Sequence, residues 1–272
     1  MANAWIINPL SPIGFSGSSG SALGTPANVA NDYAGVIWKS VALAYPTAIE
    51  LRLDLGSDQP IDTLALFGVK DAPADAKMRV LLATQAQGNF TGAYWMSDEQ
   101  DLYAGSTMPA NGQGVALWSA ASSAGGAPPA AARYVDIYFY KAASTIAVTV
   151  SRVVIGKRIA LERNFTFGAS FGVKDLGSLD FSARAVLMRR RAKKLRTLGL
   201  TFSSIHKDEL ESLTKPLLEQ IGNTEMIAVV TDPTADAQRQ NRCYFGPLVG
   251  DLGQTWRKAD AFEAKVNVVS IF

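Results

Sequence analysis

Cysteine and histidine are almost missing from this chain: Cys243 and His206 are the only ones in 272 residues. One cysteine excludes an internal disulfide and a cysteine-built metal cluster. One histidine removes most zinc sites and most histidine-based acid–base chemistry. No apolar run approaches the roughly 20 residues that span a bilayer, so no membrane partner is expected. Met1–Ala4 carries no basic region, and Trp5–Leu10 is too short for a signal core. Synthesis in a cytoplasm follows as an expectation. Net charge is low as well. The 26 Lys and Arg offset 24 Asp and Glu, and +2 gives no global argument for nucleic acid. Catalytic signatures are missing too: there is no G-x-S-x-G, no Walker loop and no H-E-x-x-H. Gly17–Gly24 (GSSGSALG) lacks the Lys and the strand-before-helix setting that phosphate binding needs. A Ser–His–Asp set would have to use His206 at a helix start, and no pair of carboxylates stands out for glycoside cleavage. The chain therefore reads as no enzyme, with no catalytic, cofactor-binding or metal residue to name and no cofactor.

What is present is apolar residue, 48% of the chain, enough for a large core in one or two domains. The stretch Ala132–Arg163 organises the rest. Tyr134, Asp136, Tyr138 and Tyr140 share one face of a strand, and Val135, Ile137 and Phe139 the other. A second β-type run covers Ile146–Ile155. Upstream, Ala48–Gly56 alternates Ile49, Leu51, Leu53 and Leu55 against Glu50, Arg52 and Asp54, the pattern of a half-buried strand. Trp5–Leu10, Ile61–Val69 and Met78–Thr84 read as further strands. Gln85–Pro129 reads as loop with short candidates at Gly92–Met96 and Gly114–Trp118, and Ala120–Ala132 as a small-residue link. Many short strands, turn signals and no helical period indicate an antiparallel sandwich.

The order PANVANDYAGVIWKS, then IELRLDLGSDQPIDTLALFGV, then ARYVDIYFY and SRVVIGK resembles discoidin-type, galactose-binding-like jelly rolls. The matching residues are Ala27, Asn28, Asp32, Trp38, Ser40, Leu53–Gly56, Ala132–Tyr134 and Gly156. The resemblance implies a jelly-roll domain over 1–163 in which Trp38, Asp54 and Arg133 are structural anchors. Such domains can hold calcium on a loop. Here only the turn Asn31–Asp32 compares, and two side chains do not supply the six to eight oxygens calcium needs. Tyr94, Trp95, Tyr103 and Trp118 are candidates for stacking on a glycan, against a competing reading as core or subunit contacts.

Downstream, Asn164–Gly172 and Leu179–Met188 alternate as strands, and Leu195–Phe202 follows the run RRRAKKLR. One helix is expected near 206–221. Ser203 or Ser204 caps it, Asp208 and Glu209 occupy the first turn, and Leu210, Leu213, Leu217 and Ile221 form the apolar stripe. Pro216 should kink it and Gly222 stop it. Met226–Thr231, Cys243–Val249 and Phe262–Ile271 complete the strands. The order of a basic-flanked strand, one helix, VVTDP, YFGPLVG and a C-terminal strand resembles the tail-tube-like barrel of tailed-bacteriophage distal-tail and minor tail proteins, over 164–272.

The expected fold is therefore mainly β: an N-terminal jelly-roll sandwich, then a β-barrel or split barrel with one α-helix. The resemblance implies a structural virion protein of a phage tail. It would form a homo-oligomeric ring, six-fold in preference to three-fold, that connects the tail tube to the tip or hub proteins. Arg189, Arg190, Arg191, Lys193, Lys194 and Arg196 would face either a subunit interface or a channel through which DNA passes transiently. Two readings from other classes stand beside it: a carbohydrate-binding module that attaches its carrier to glycans or a host surface, and, last, a hydrolase subunit.

Overall fold

The computed structural model describes every residue except Met1, Ser18, Ser19, Ser122, Ala124, Gly125, Asp251, Leu252 and Ala259, and the side chain of Lys258. Parts of the glycine-rich stretch Gly17–Gly24 and of the link Ala120–Ala132 thus lie outside the described residues. The strands that build the layers are β1 (Trp5–Ile7), β2 (Ile49–Gln59), β3 (Thr63–Val69), β4 (Lys77–Ala83), β5 (Gly114–Ser119), β6 (Ala132–Tyr140), β7 (Arg152–Gly156), β8 (Arg158–Ile159), β9 (Ser170–Asp175), β10 (Ser178–Phe181), β11 (Leu187–Arg190), β12 (Lys194–Ile205), β13 (Met226–Val230), β14 (Cys243–Pro247), β15 (Gln254–Lys258) and β16 (Ala261–Ser270). The chain is mainly β with one helical rod.

The front sheet runs Gln100–Asp101, β4, β6, β2, Gly14–Ser16, all antiparallel. Behind it lies a second sheet, β5-β3-β7. Alternation decides what lies between them. Leu51, Leu53, Val80, Leu82, Val135 and Ile137 point back from the front sheet, and Leu64, Leu66, Ala116, Val153 and Ile155 point forward from the second. Together with the fully buried Trp38 they fill the sandwich core.

The second sheet has no wet face. Ala65, Phe67, Val115, Leu117 and Val154 point the other way, into another apolar layer with Ile7, Ala228, Val230, Cys243, Phe245 and Phe272. These belong to a third sheet, β8-β1-β13-β14, and to the C-terminus. The ring of Phe67 lies 5.4 Å from Phe245 and 5.9 Å from Phe272. The runs TLALFGV and MIAVV are continuous rather than alternating for this reason: a strand covered on both faces has no polar side. Sequence alone places a division at 163/164, yet strand pairing crosses it. Trp5–Ile7 pairs with Met226–Val230 on one side and with Arg158–Ile159 on the other.

The third sheet's far face, with Ile6, Ile227, Val229 and Tyr244, meets a fourth sheet, β9-β12-β16-β15, through Leu198, Leu200, Phe202, Ala264, Val266 and Val268. The two sheets are joined along one side. The Ile271 N–H donates to the Phe245 carbonyl and the Val249 N–H to the Asn267 carbonyl, each at 2.9 Å. Gly246 makes this approach feasible, since a Cβ there would lie 1.9 Å from the Val269 carbonyl oxygen. The helical rod packs on this core with Leu210, Leu217 and Ile221, which gives a split barrel.

The helix departs from expectation in three places. His206 is its N-cap residue, with no side-chain cap; Ser203 and Ser204 belong instead to the irregular end of β12, where Ser204 has φ +62°. Between Lys207–Glu209 and Lys215–Ile221 the turns widen to π-helix over Leu210–Thr214, where Lys215 N–H bonds the Leu210 carbonyl. The wide turn stands immediately before Pro216, which has no N–H to give and whose ring crowds the preceding turn. It also shifts the buried face by about one residue, so Thr214 goes inward and Leu213 is exposed. No helix among the described residues is long and apolar enough to cross a membrane.

Candidate functional site

Alternation in LDFSARAVLM predicts one strand; the structure folds it into a hairpin. Leu179 pairs with Arg189 and Phe181 with Leu187, so the chain reverses within Ser182–Val186. Ser182 makes the turn. Its N–H donates to the Val186 carbonyl at 2.9 Å, its Oγ accepts the Val186 N–H at 3.1 Å, and Ala185 takes φ +58°. The ladder continues inward through Leu176–Lys193 and Asp175–Lys194 into the fourth sheet. Residues 176–192 therefore form a two-stranded arm that reaches roughly 25 Å beyond the barrel, at about 3.4 Å per residue.

The arm is exposed along its whole length, and its surface is apolar. Phe171, Val173, Leu176, Leu179, Phe181, Val186, Leu187 and Met188 are each half to two-thirds exposed, and Phe167 at the arm's base is fully exposed. Together they present on the order of 800 Å² of apolar side chain, more than the roughly 300–600 Å² of the largest patch on a typical monomer. An isolated two-stranded hairpin is at best marginally stable in water.

The six basic residues picked out from sequence divide on this arm. Arg189 and Arg190 lie on β11 and are exposed, as is Arg191 just after it. Lys193 donates to the Ile271 carbonyl at 2.9 Å, and Lys194 lies 4.0 Å from Asp175. Arg196 is a packing residue at the arm's root: it bonds the Asn241 carbonyl and stacks 4.2 Å over the Tyr244 ring. From Lys174 to Arg196 eight Lys and Arg face two Asp, a net +6; since the chain carries +2, the remainder carries −4.

A second feature lies at the far end of the chain's layers, on the front sheet's outer face. Tyr138 and Tyr140 of β6, Glu50 of β2 and Arg79 of β4 line a groove of about 550 Å³ with Tyr45, Pro46, Ala48, Met96 and Glu99. Tyr140 donates its hydroxyl to Glu99, and the Arg79 guanidinium lies 6.0 Å from the Tyr140 ring centre. Beside the groove, Asp136 is fully buried on the same strand face, taking Arg52 bonds at 2.8 and 3.1 Å on Oδ2 while its Oδ1 has no hydrogen-bond partner. Burial, then the neighbouring Glu50 carboxyl, push the Asp136 carboxyl up to about 7 against the pull of Arg52. Burial first, then nearby carboxylates, push the Tyr138 and Tyr140 hydroxyls up to about 12.

The aromatic candidates from sequence do not form this groove. Trp95, Tyr103 and Trp118 are buried, with Trp95 and Trp118 packed at 6.0 Å, and only Tyr94 is exposed. Tyr138 and Tyr140 left a signal in sequence: they occupy the polar register of a strand, where tyrosine presents a ring to solvent. Asp54 and Arg133 form a two-pronged pair at 2.8 and 3.0 Å, and Arg133 holds the Asp54 carboxyl below the usual carboxylate range. Trp38 is fully buried and donates to Ser21 Oγ at 2.9 Å. Asp32 faces the buried Arg152 guanidinium at 3.1 Å.

No protein-family model and no curated protein sequence matches the chain. Among solved structures, the chain is similar to the chitosan-binding module 1 from the chitosanase/glucanase of Paenibacillus sp. IK-5, at 14% identity and TM-score 0.38, over 55% of this chain and 98% of that one. It is similar to the family 32 carbohydrate-binding module of C. perfringens NanJ in complex with galactose, at 12% identity and TM-score 0.39, over 56% and 98%. It is also similar to the lectin domain of lectinolysin complexed with Lewis B antigen, at 14% identity and TM-score 0.35, over 53% and 92%. The N-terminal part of the chain, about 55% of it, thus resembles galactose-binding-like jelly rolls.

Proposed function

We propose that this chain is a structural subunit that assembles with copies of itself, as a distal-tail or minor tail protein in a bacteriophage tail ring that joins the tube to the tip or hub. The observation that carries the reading is the arm over 176–192. About 800 Å² of apolar side chain is one partner's share of a standard protein–protein interface, and a hairpin that exposes it on both strands gains stability once a neighbour covers it. A contact between unlike surfaces of identical chains closes into a ring when its rotation closes. The phage setting comes from the sequence resemblance over 164–272, and the arm is what gives it a physical basis. The protein is then made in the host cytoplasm and works in the virion. Electron microscopy of the purified intact protein tests this: closed rings are expected, and dispersed single subunits at micromolar concentration would refute it.

A second reading, a carbohydrate-binding module, is favoured by the groove on the front sheet, where tyrosine rings stand beside carboxylates and a guanidinium. Ring faces stack on sugar C–H groups, and planar polar groups take hydroxyl pairs. Saturable binding on a glycan panel, lost in Tyr140→Ala, would support it.

A further inference from the structure

We infer that the occupant of the tyrosine–glutamate groove is the basic arm of a second copy of this chain. The inference rests on the reading that the chain assembles with itself, and goes further by naming the acceptor.

The two features match in chemistry. The arm offers guanidinium groups interleaved with Leu, Phe, Val and Met side chains: Arg189 lies opposite Leu179, and Arg190 follows it on β11. The groove offers tyrosine rings and carboxylates on one wall: Tyr45, Tyr138 and Tyr140 with Glu50 and Glu99. Guanidinium groups stack on such rings and pair with such carboxylates. Its volume of about 550 Å³ accepts several side chains of an arm.

Charge selects between copies and strangers in the same direction. The segment from Lys174 to Arg196 is +6 in a chain whose remainder is −4, so an arm is repelled by another arm and attracted to another body. The acids of the helical rod, Asp208, Glu209, Glu211 and Glu219, provide no matching cavity, and two of them already have lysines one turn away, Lys207 beside Glu211 and Lys215 beside Glu219. The groove combines carboxylates with an aromatic wall, which the arm's mixed surface requires. Arm and groove are different surfaces, so each subunit gives one arm and receives one, and the contact propagates head to tail.

The test uses the full chain. One variant carries Ala183→Cys at the arm's turn and a second carries Met96→Cys at the groove; the native Cys243 is buried and stays silent. Mixed and mildly oxidised, the two variants should give a covalent heterodimer. Arg190→Glu should weaken self-association at least 10-fold, Glu99→Arg should do the same, and the double variant should recover most of the loss. Both positions are exposed, so each variant keeps the fold, which far-UV circular dichroism checks. Rings that persist in Glu99→Arg and in Tyr140→Ala, with cross-links forming instead to Thr255→Cys on the edge strand β15, would overturn the groove and leave self-assembly standing. Saccharide binding in the groove at undiminished ring formation would overturn it equally. An intact chain that stays monomeric would remove the reading on which it rests.

Discussion

Phe67→Ala tests whether the layers form one cooperative stack. Phe67 sits on the second sheet, is fully buried, and reaches across the boundary expected from sequence to Phe245 and Phe272. Truncating a buried phenylalanine costs about 3–5 kcal/mol, because transfer free energy is lost and a cavity is left. Two ring–ring contacts add about 0.5–1.5 kcal/mol each. The neighbours are strands held on both sides and cannot collapse far, so the upper end applies, about 5 kcal/mol. With a urea dependence of about 3 kcal/mol per M, the unfolding midpoint should fall by roughly 1.7 M. Trp38, Trp95 and Trp118 report the sandwich, while far-UV circular dichroism reports all the layers. Both probes should move together in one transition. A loss below about 2 kcal/mol, or a shift seen by only one probe, would mean that the second and third sheets are separable and the stack is wrong. The same packing predicts that fragments cut at 163/164 fail to unfold cooperatively, since the second would lack β1 and β8, which hold the edge of β13.

Trp38→Ala should cost about 3–5 kcal/mol in thermal or urea unfolding, as the loss of a fully buried aromatic; a cost below about 1 kcal/mol would contradict its place in the core. Gly246→Ala should destabilise by about 1–3 kcal/mol or more through overpacking against the Val269 carbonyl, read as a lowered Tm. Asp136→Asn should change the pH dependence of stability. The folded carboxyl titrates near 7 and the unfolded one near 3.8, so between those values the folded state holds the extra proton and this group's contribution falls as pH rises. Urea unfolding at pH 5 and pH 8 should show the variant gaining on the parent at the higher pH; an equal difference at both would refute the shift. Self-association should weaken as salt rises from 0.05 to about 0.5 M, because exposed charges are screened over a few ångströms there; indifference to salt would remove the charge argument for the arm.

Much of the layering is legible in the sequence, and its failures have physical causes. Alternation found the half-buried strands: Ile49–Gln59, Ala132–Tyr140 and Ala261–Ser270 each have one wet face. Continuous runs such as TLALFGV read as buried strands but not as strands buried by two different partners, because a run carries no record of what covers its second face. The pairing of Trp5–Ile7 with Met226–Val230 spans more than 200 residues, and nothing local in either segment announces it. The arm was misread for a definite reason. Leu179, Phe181, Ala183 and Ala185 keep strand alternation straight through the reversal, and the turn is made by Ser182 with no Gly, Pro or Asn to mark it. Its apolar residues also look like core in sequence, whereas the structure exposes them. The groove was half legible: tyrosines in the polar register of Ala132–Tyr140 were visible, but Tyr45 and Glu99 join them only through folding.

Light scattering on the intact chain beside a variant in which residues 176–192 are replaced by a two-residue turn tests self-assembly through the arm most directly. Asp175 and Lys194 are already paired across the ladder, so the shortened hairpin can close there. The account predicts a closed multimer for the intact chain and a folded monomer for the shortened one. Equal masses for the two, whether both monomeric or both multimeric, would contradict it.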